Sequence, residues 1–155
     1  MKRKLDFEYD DGYTRATLKT KYGTFIGEAW ISKKDPFPPS YSIGMRIAEG
    51  RAYMALYDKR IYDKKNELKG IDRLLHSIPP TQQKAYAYAR NMRCAIAQEI
   101  VEFEKERADA KVLVDEALRA RNMYIRSRTT DHKAREEYFK TLGQAIEALG
   151  SVKTD

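Results

Sequence analysis

The stretch that decides the fold is residues 43–128, and its first part, from Ile43 to Ile78, reads IGMRIAEGRAYMALYDKRIYDKKNELKGIDRLLHSI. Along it, apolar residues recur at alternating steps of four and three, the heptad spacing that keeps one narrow stripe of a helix against a partner helix. Only Gly50 and Lys64 break the apolar character of this stripe. Its members are Ile43, Ile47, Gly50, Met54, Tyr57, Ile61, Lys64, Leu68, Ile71, Leu75 and Ile78. We therefore predict a helix over residues 41–78.

A second helix is predicted after the Pro79-Pro80 turn, over residues 81–128, because no proline or glycine occurs between residue 81 and Gly143. Its apolar stripe is weaker and consists of Ala85, Ala89, Met92, Ile96, Phe103, Ala110, Val114, Ala117 and Tyr124. We expect the two helices to fold back on each other as an antiparallel hairpin with coiled-coil packing. A break near residues 107–110, where the stripe is thinnest, would give a compact bundle instead.

A third helix is predicted over residues 131–149. Thr129-Thr130-Asp131 can end the second helix and cap the next one. The apolar residues of this segment lie on one helical face before Gly150, and they are Ala134, Tyr138, Leu142, Ala145 and Leu149. We expect this short helix to close the bundle.

Residues 3–31 predict a small β-meander, because apolar and acidic residues alternate from Leu5 to Tyr9 and threonine-rich and aromatic runs follow. Turns are predicted at Asp10-Asp11-Gly12 and at Lys21-Tyr22-Gly23. Gly27, inside the third strand, indicates a bulge or a close backbone approach. Residues 32–40 are proline-rich and form the linker to the helices. The expected fold is thus one mostly helical α+β domain over residues 1–155, with the meander packed on the hairpin.

Composition limits the classes of function. The 155 residues carry 30 basic and 23 acidic side chains, and the net charge of +7 favours contact with nucleic acid, a nucleoprotein or an acidic protein surface. No apolar run approaches the roughly 18 residues that cross a bilayer. The amino terminus also lacks the apolar core of a signal peptide. We therefore expect a cytoplasmic protein that does not bind membranes.

Residue types for catalysis are sparse. The two histidines, His76 and His132, lie near the ends of different predicted helices, and no zinc-protease, nucleotide-binding or nucleophile-elbow motif is present. The single cysteine, Cys94, is expected to be a small buried hydrophobe. Carboxylates near the first turn could bind a divalent cation, but a solvated strand is favoured; they are Asp6, Glu8, Asp10 and Asp11. We expect no enzyme, cofactor or metal, and a nuclease built on those carboxylates is the alternative left open.

A basic segment is the first candidate binding site. It consists of Arg119, Arg121, Tyr124, Arg126, Arg128, Lys133 and Arg135. Guanidinium groups with an interleaved aromatic ring could follow a phosphate backbone and stack on a base. They could equally complement the dipole of a long helix and pair with acidic residues on a neighbour.

Aromatic residues of the first 41 positions are the second candidate. They are Phe7, Tyr9, Tyr13, Tyr22, Phe25, Trp30, Phe37 and Tyr41. Packing of the sheet on a helix is the favoured explanation. A partly exposed protein-binding face that includes Tyr22, Trp30 and Phe37 comes second.

Two sequence motifs are familiar, YGTFIGEA at residues 22–29 and AEGRA at residues 48–52. The pair resembles small accessory proteins of bacteriophages and prophages of Gram-positive bacteria, in which a YGTFxGxA strand leads into a helix bearing AExRA. The resemblance covers roughly residues 5–65. It implies a role in the host cytoplasm, such as interference with a defence system like CRISPR-Cas. It also points to Glu49 and Arg51 as candidate partner contacts, although Glu49 could equally pair with a neighbouring lysine or arginine for structure. In those proteins an acidic stretch follows the strand, and KKDPFPP at residues 33–39 departs from that pattern.

Three functional hypotheses follow. The leading one is a non-enzymatic phage or mobile-element protein that inhibits or modulates a host protein or nucleoprotein complex. The second is direct nucleic-acid binding through the basic helical surface. The third is a self-assembling coiled coil, since a narrow heptad stripe can pair between chains as a homo-oligomer.

Overall fold

The computed structural model describes residues 3–30 and 40–152, with side chains as far as residue 150. The elements are β1 (Lys4–Asp10), β2 (Tyr13–Thr20), β3 (Gly23–Trp30), α1 (Tyr41–Ser77) and α2 (Gln83–Val152). The predicted fold class is confirmed, because an antiparallel sheet of order β1-β2-β3 precedes two long helices. The predicted linker lies outside the described residues except for Ser40, whose hydroxyl caps α1 by accepting a hydrogen bond from the Ile43 amide at 3.4 Å.

The sheet is a meander with two tight turns. Asp11 and Gly12 have φ values of 38° and 88°, so Asp10 pairs with Tyr13 across a two-residue turn of type I′. Alternate residues of β2 are buried against the helices, and these are Thr14, Ala16 and Leu18. Their neighbours on the opposite face of the sheet are polar, as the period-two alternation predicts.

The sheet packs on α1 through small residues. A Cβ atom at Gly27 of β3 would overlap the carbonyl oxygen of Ala48 and the amide of Ala52. Ala48 and Ala52 are themselves fully buried. Gly27 therefore marks a close backbone approach, one of the two outcomes predicted for it.

The helices form the predicted antiparallel hairpin. Among the described residues, four ion pairs join α1 to α2, and from Asp58 to Asp72 the partners run in opposite directions along the two helices: Asp58 with Arg107, Lys64 with Glu99 at 2.7 Å, Lys65 with Glu104 at 3.8 Å, and Asp72 with Arg93 at 2.6 Å. Extrapolating this register places Tyr41, the first residue of α1, opposite α2 near Tyr124.

The two exceptions in the heptad stripe of α1 have physical reasons. Gly50 is buried where α2 comes closest, since a Cβ atom there would overlap the Val114 side chain. Lys64 is half-buried and reaches two carboxylates, those of Glu99 at 2.7 Å and Glu67 at 3.2 Å. The hydrogen bond to Glu99 raises the pKa of the Lys64 ammonium in spite of its burial. The stripe is therefore continuous in packing although not in hydrophobicity.

The predicted division of the second helix is wrong. α2 is a single helix of 70 residues, about 105 Å long at 1.5 Å per residue. Thr129 and Thr130 do not cap a new helix, because their hydroxyls donate to the carbonyls of Ile125 at 2.8 Å and Arg126 at 3.0 Å inside the same one. No break occurs at residues 107–110 either.

As a consequence, α2 projects past the start of α1, and its end does not close a bundle. Ala117 is its last buried residue, and every side chain from residue 130 to residue 150 is exposed. We refer to residues 126–150 as the arm. At 1.5 Å per residue it is roughly 37 Å long.

The close helix–helix contact makes a prediction about stability. Gly50→Ala should lower the free energy of unfolding by about 1 kcal/mol, because overpacking against Val114 outweighs the better helix propensity of alanine. Gly70→Ala is the matched control in the same helix, since no atom lies within 4 Å of its would-be Cβ. That change should raise stability by up to ~1 kcal/mol. Urea unfolding followed by circular dichroism measures both, and equal gains for the two variants would contradict the packing described.

Candidate functional site

A metal ion has no ready site in the described part of the chain. Among the described residues, no three His, Cys, Asp or Glu side chains lie close enough to bind one metal ion. His132 pairs instead with Glu136 of its own helix at 2.9 Å. Cys94 is exposed, so its expected burial was wrong. Within the same residues, no helix has an apolar stretch of the length that a bilayer crossing needs.

The predicted basic segment forms two rows on α2. Each row has a spacing of seven residues: Arg119, Arg126 and Lys133 in one, Arg121, Arg128 and Arg135 in the other. The rows differ by two positions, which is about 200° around a helix, so they lie on opposite sides. Within a row, successive cations are roughly 10.5 Å apart along the axis. The structure thus places positive charge on both flanks of the projecting helix.

Tyr124 lies between Arg121 and Arg128, the first two residues of the second row. It is half-buried, and the Arg128 guanidinium lies 5.4 Å from its ring centroid. The structure thus brings together one predicted aromatic–arginine combination, Tyr124 with Arg128. The ring is occupied by a side chain of its own helix.

The outer half of the arm carries an apolar face. Residues spaced by one, three and four positions fall within a third of the helix circumference, and all are exposed: Tyr138 at 64%, Phe139 at 64%, Leu142 at 42%, Ile146 at 60% and Leu149 at 65%. In the described structure no other element packs on this face. Part of it was predicted from the sequence, but as the stripe that closes a bundle.

The predicted aromatic face of the sheet divides between packing and exposure. Tyr22 lies under the Arg60 guanidinium at 3.5 Å, and the same guanidinium lies 4.9 Å from the ring of Phe103 in α2. This stack joins the β2–β3 turn to both helices. A hydrogen bond from Lys21, together with the positive charge of Arg60, lowers the pKa of Tyr22 in spite of partial desolvation.

Trp30 stays accessible on the outer face of the sheet. It is 65% exposed and packs on Tyr13 with ring centroids 4.3 Å apart. Burial, together with a hydrogen bond to the carboxylate of Glu28 two residues before Trp30, raises the pKa of Tyr13. Phe37, the third aromatic residue predicted for a partner, lies outside the described residues.

Contacts within the fold explain four of the five positions of the AEGRA motif. Ala48 and Ala52 contact the sheet, Gly50 contacts α2, and Arg51 donates a hydrogen bond to the carbonyl oxygen of Glu28 in β3 at 2.7 Å. Arg51 therefore has a structural role that ties α1 to the sheet. Glu49 differs, because its side chain lines a groove between the helices.

That groove, the tyrosine groove, has a volume of about 710 Å³ and lies between α1 and α2. Residues of both helices line it: the polar and aromatic Glu49, Tyr53, Tyr57, Glu106, Asp109 and Glu116, together with Gly50 and the apolar Ala110, Leu113 and Ala117. One guanidinium, that of Arg46, also lines it, against four carboxylates. The groove is a negative concavity on a protein whose net charge is +7.

One end of the tyrosine groove is already in contact with a cation of the same chain. The Arg3 guanidinium lies 5.8 Å from the ring centroid of Tyr53, which stacks on Tyr57 with centroids 6.5 Å apart. Burial lowers the pKa of Arg3, but interaction with the Tyr57 hydroxyl and with Glu106 more than offsets this and raises it. Burial likewise raises the pKa of Tyr57, so its hydroxyl keeps its proton at neutral pH.

Sequence reasoning missed most of the tyrosine groove. Tyr57 was assigned to the heptad stripe, and the acidic residues of the second helix, Glu106 among them, were expected only to pair with basic residues of a neighbouring helix. The available signal was the excess of carboxylates near the middle of α2, opposite the tyrosines that α1 carries at positions 53 and 57. It could be read only once the register of the hairpin was known.

Comparison with known proteins adds no relative: no family model, curated protein or solved structure matches this chain.

The exposure of the arm predicts its dynamics. Backbone amides of residues 130–150 should exchange with deuterium much faster than those of residues 96–117, because few tertiary contacts oppose local opening of the helix. Hydrogen exchange with peptide-level mass spectrometry measures this directly. Equal protection of the two segments would mean that the arm is covered in solution.

Proposed function

We propose that this is a non-enzymatic binding protein whose partner-binding element is the arm of α2. The observation that carries the proposal is the apolar face from Tyr138 to Leu149, exposed on a helix end that projects past the hairpin. An amphipathic helix of this kind binds by laying its apolar face into a groove of another protein. The basic rows at the base of the arm add attraction to an acidic or phosphate-rich surface.

The class of partner is proposed from the sequence motifs. The YGTFIGEA and AEGRA resemblance implies a phage or mobile-element protein, for which a host protein or nucleoprotein complex, such as a defence complex, is the natural target. This source rests on the resemblance alone. The binding proposal itself rests on the arm and does not depend on it.

Capture from a lysate of the native host tests the proposal. The double variant Leu142→Glu/Leu149→Glu should recover the partner about tenfold less than the native protein, because each carboxylate must be desolvated in the interface. Nuclease treatment should leave a protein partner bound.

The matched control is Thr141→Glu/Gln144→Glu, which adds the same two charges on the polar side of the arm. It should capture the partner normally. If both double variants capture it as well as the native protein does, or if the native chain captures nothing, the arm is not a partner-binding element.

Direct nucleic-acid binding is a second candidate, favoured by the two rows of cations on opposite flanks of the arm. A projecting helix with positive charge on both sides can lie in a groove and contact the phosphates of both strands. The cationic spacing of roughly 10.5 Å within a row is compatible with separate phosphate contacts.

A mobility-shift titration against salt tests this candidate. Arg128→Ala/Arg135→Ala should weaken binding and lower the salt dependence by about one unit of slope per lost contact. Arg90→Ala/Lys105→Ala removes the same charge from the hairpin and should have little effect. Absent or salt-independent binding by the native protein would eliminate the candidate.

A further inference from the structure

Some carboxylates of the hairpin form ion pairs across it, and others do not. Four of them pair with a cation of the facing helix, namely Asp58 with Arg107, Asp72 with Arg93, Glu99 with Lys64 and Glu104 with Lys65. The carboxylates of the tyrosine groove do not: within the described residues, Glu49, Glu106, Asp109 and Glu116 form no ion pair within 4 Å. In the described part of the chain, the groove therefore collects four carboxylates without an ion pair within 4 Å, whereas ion pairs join the two helices elsewhere along the hairpin.

The groove offers a guanidinium more than negative charge. The stacked rings of Tyr53 and Tyr57 present aromatic surface, and a planar guanidinium is attracted to such a face while its N–H groups bind carboxylates. Gly50 and Ala110 form part of the lining, so the space beside the rings is not filled by bulky side chains. A volume of about 710 Å³ exceeds what one arginine side chain fills, and falls within the range of ligand sites in proteins.

The chain itself shows which chemistry the groove accepts. Arg3 lies against its Tyr53 and Tyr57 end, where the Tyr57 hydroxyl and Glu106 raise the pKa of the guanidinium although partial burial lowers it. In the lining itself, Arg46 is the one cation among four carboxylates. One end of the groove therefore already contacts a guanidinium of the same chain, and the lining keeps a negative balance of charge.

We propose that the tyrosine groove is a binding site for an arginine-bearing basic segment of a partner protein, and that Arg3 competes with that segment for the Tyr53 and Tyr57 end. The proposal is independent of the arm, because the groove lies within the hairpin. Charge complementarity selects the occupant: the groove is negative on a positive protein, so a basic segment is drawn to it while the remaining surface repels that segment.

Two specific consequences follow. Removing Arg3 should strengthen binding of the basic segment, because Arg3 then no longer competes with that segment for the groove. Arginine should bind better than lysine, because only the guanidinium stacks on the rings and forms paired hydrogen bonds with carboxylates.

The experiment is calorimetric titration of the full chain with a blocked peptide carrying two arginines, and with its two-lysine counterpart. We expect the arginine peptide to bind about threefold tighter or better to Arg3→Ala than to the native protein. The double variant Glu49→Gln/Asp109→Asn should weaken binding about tenfold. Tyr53→Leu should abolish the preference for arginine over lysine while keeping an apolar side chain in place.

The control for charge is Glu102→Gln/Glu147→Gln, which removes two exposed carboxylates of α2 outside the groove and should leave the affinity unchanged. Thermal unfolding of each variant confirms that it is folded. Equal weakening by the two double variants would overturn the proposal in favour of non-specific attraction, and so would an Arg3→Ala variant that binds no better than the native protein. Light scattering in parallel provides a further test. If Glu49→Gln/Asp109→Asn loses a self-association that the native protein shows, the occupant is a second copy of this chain and the proposal is overturned.

Discussion

The structure depends on how closely α1 can approach its two neighbours at the same level. On one side, Ala48 and Ala52 lie against Gly27, so that the helix backbone touches the sheet. On the other side, Gly50 admits the Val114 side chain of α2. Because these contact positions of α1 are glycine or alanine, α1 lies as the middle layer between the sheet and α2. Larger residues there would separate the layers and leave the small sheet without a core, since three strands alone are marginal.

Beyond that contact, polar groups maintain the hairpin. Past residue 57, the buried side chains of α1 give way to half-buried ones, and interhelical ion pairs become the regular feature. Exposed pairs of this kind contribute little stability each, but they fix which residues of the two helices face each other. The first part of α1 differs, because there, between residues 46 and 57, carboxylates of both helices line the tyrosine groove next to Arg3.

The sequence allowed much of the fold to be predicted, and the reasons differ by element. The meander and α1 were predicted to within a residue or two, because period-two alternation, turn glycines and an unbroken heptad stripe are all local signals. The end of α2 was not, because Thr129 and Thr130 look like caps in sequence but bond back to their own helix. A threonine hydroxyl can either cap a new helix or bond to a carbonyl of its own helix. Residue type alone does not reveal which of these two hydrogen bonds forms. The candidate sites show the same limit: Glu49 was singled out, but its neighbours in the groove come from the facing helix and depend on register.

One consequence of the continuous α2 concerns distance. Val114 of α2 packs against Gly50 of α1, and Leu142 lies on the apolar face of the arm. The two residues are roughly 42 Å apart along the axis of α2. No loop or glycine interrupts the path between those two residues. The helix therefore fixes both the distance and the rotation angle between the sheet and whatever contacts the outer arm. Inserting or deleting one residue between them would change the spacing by only about 1.5 Å but would rotate the outer face by about 100°.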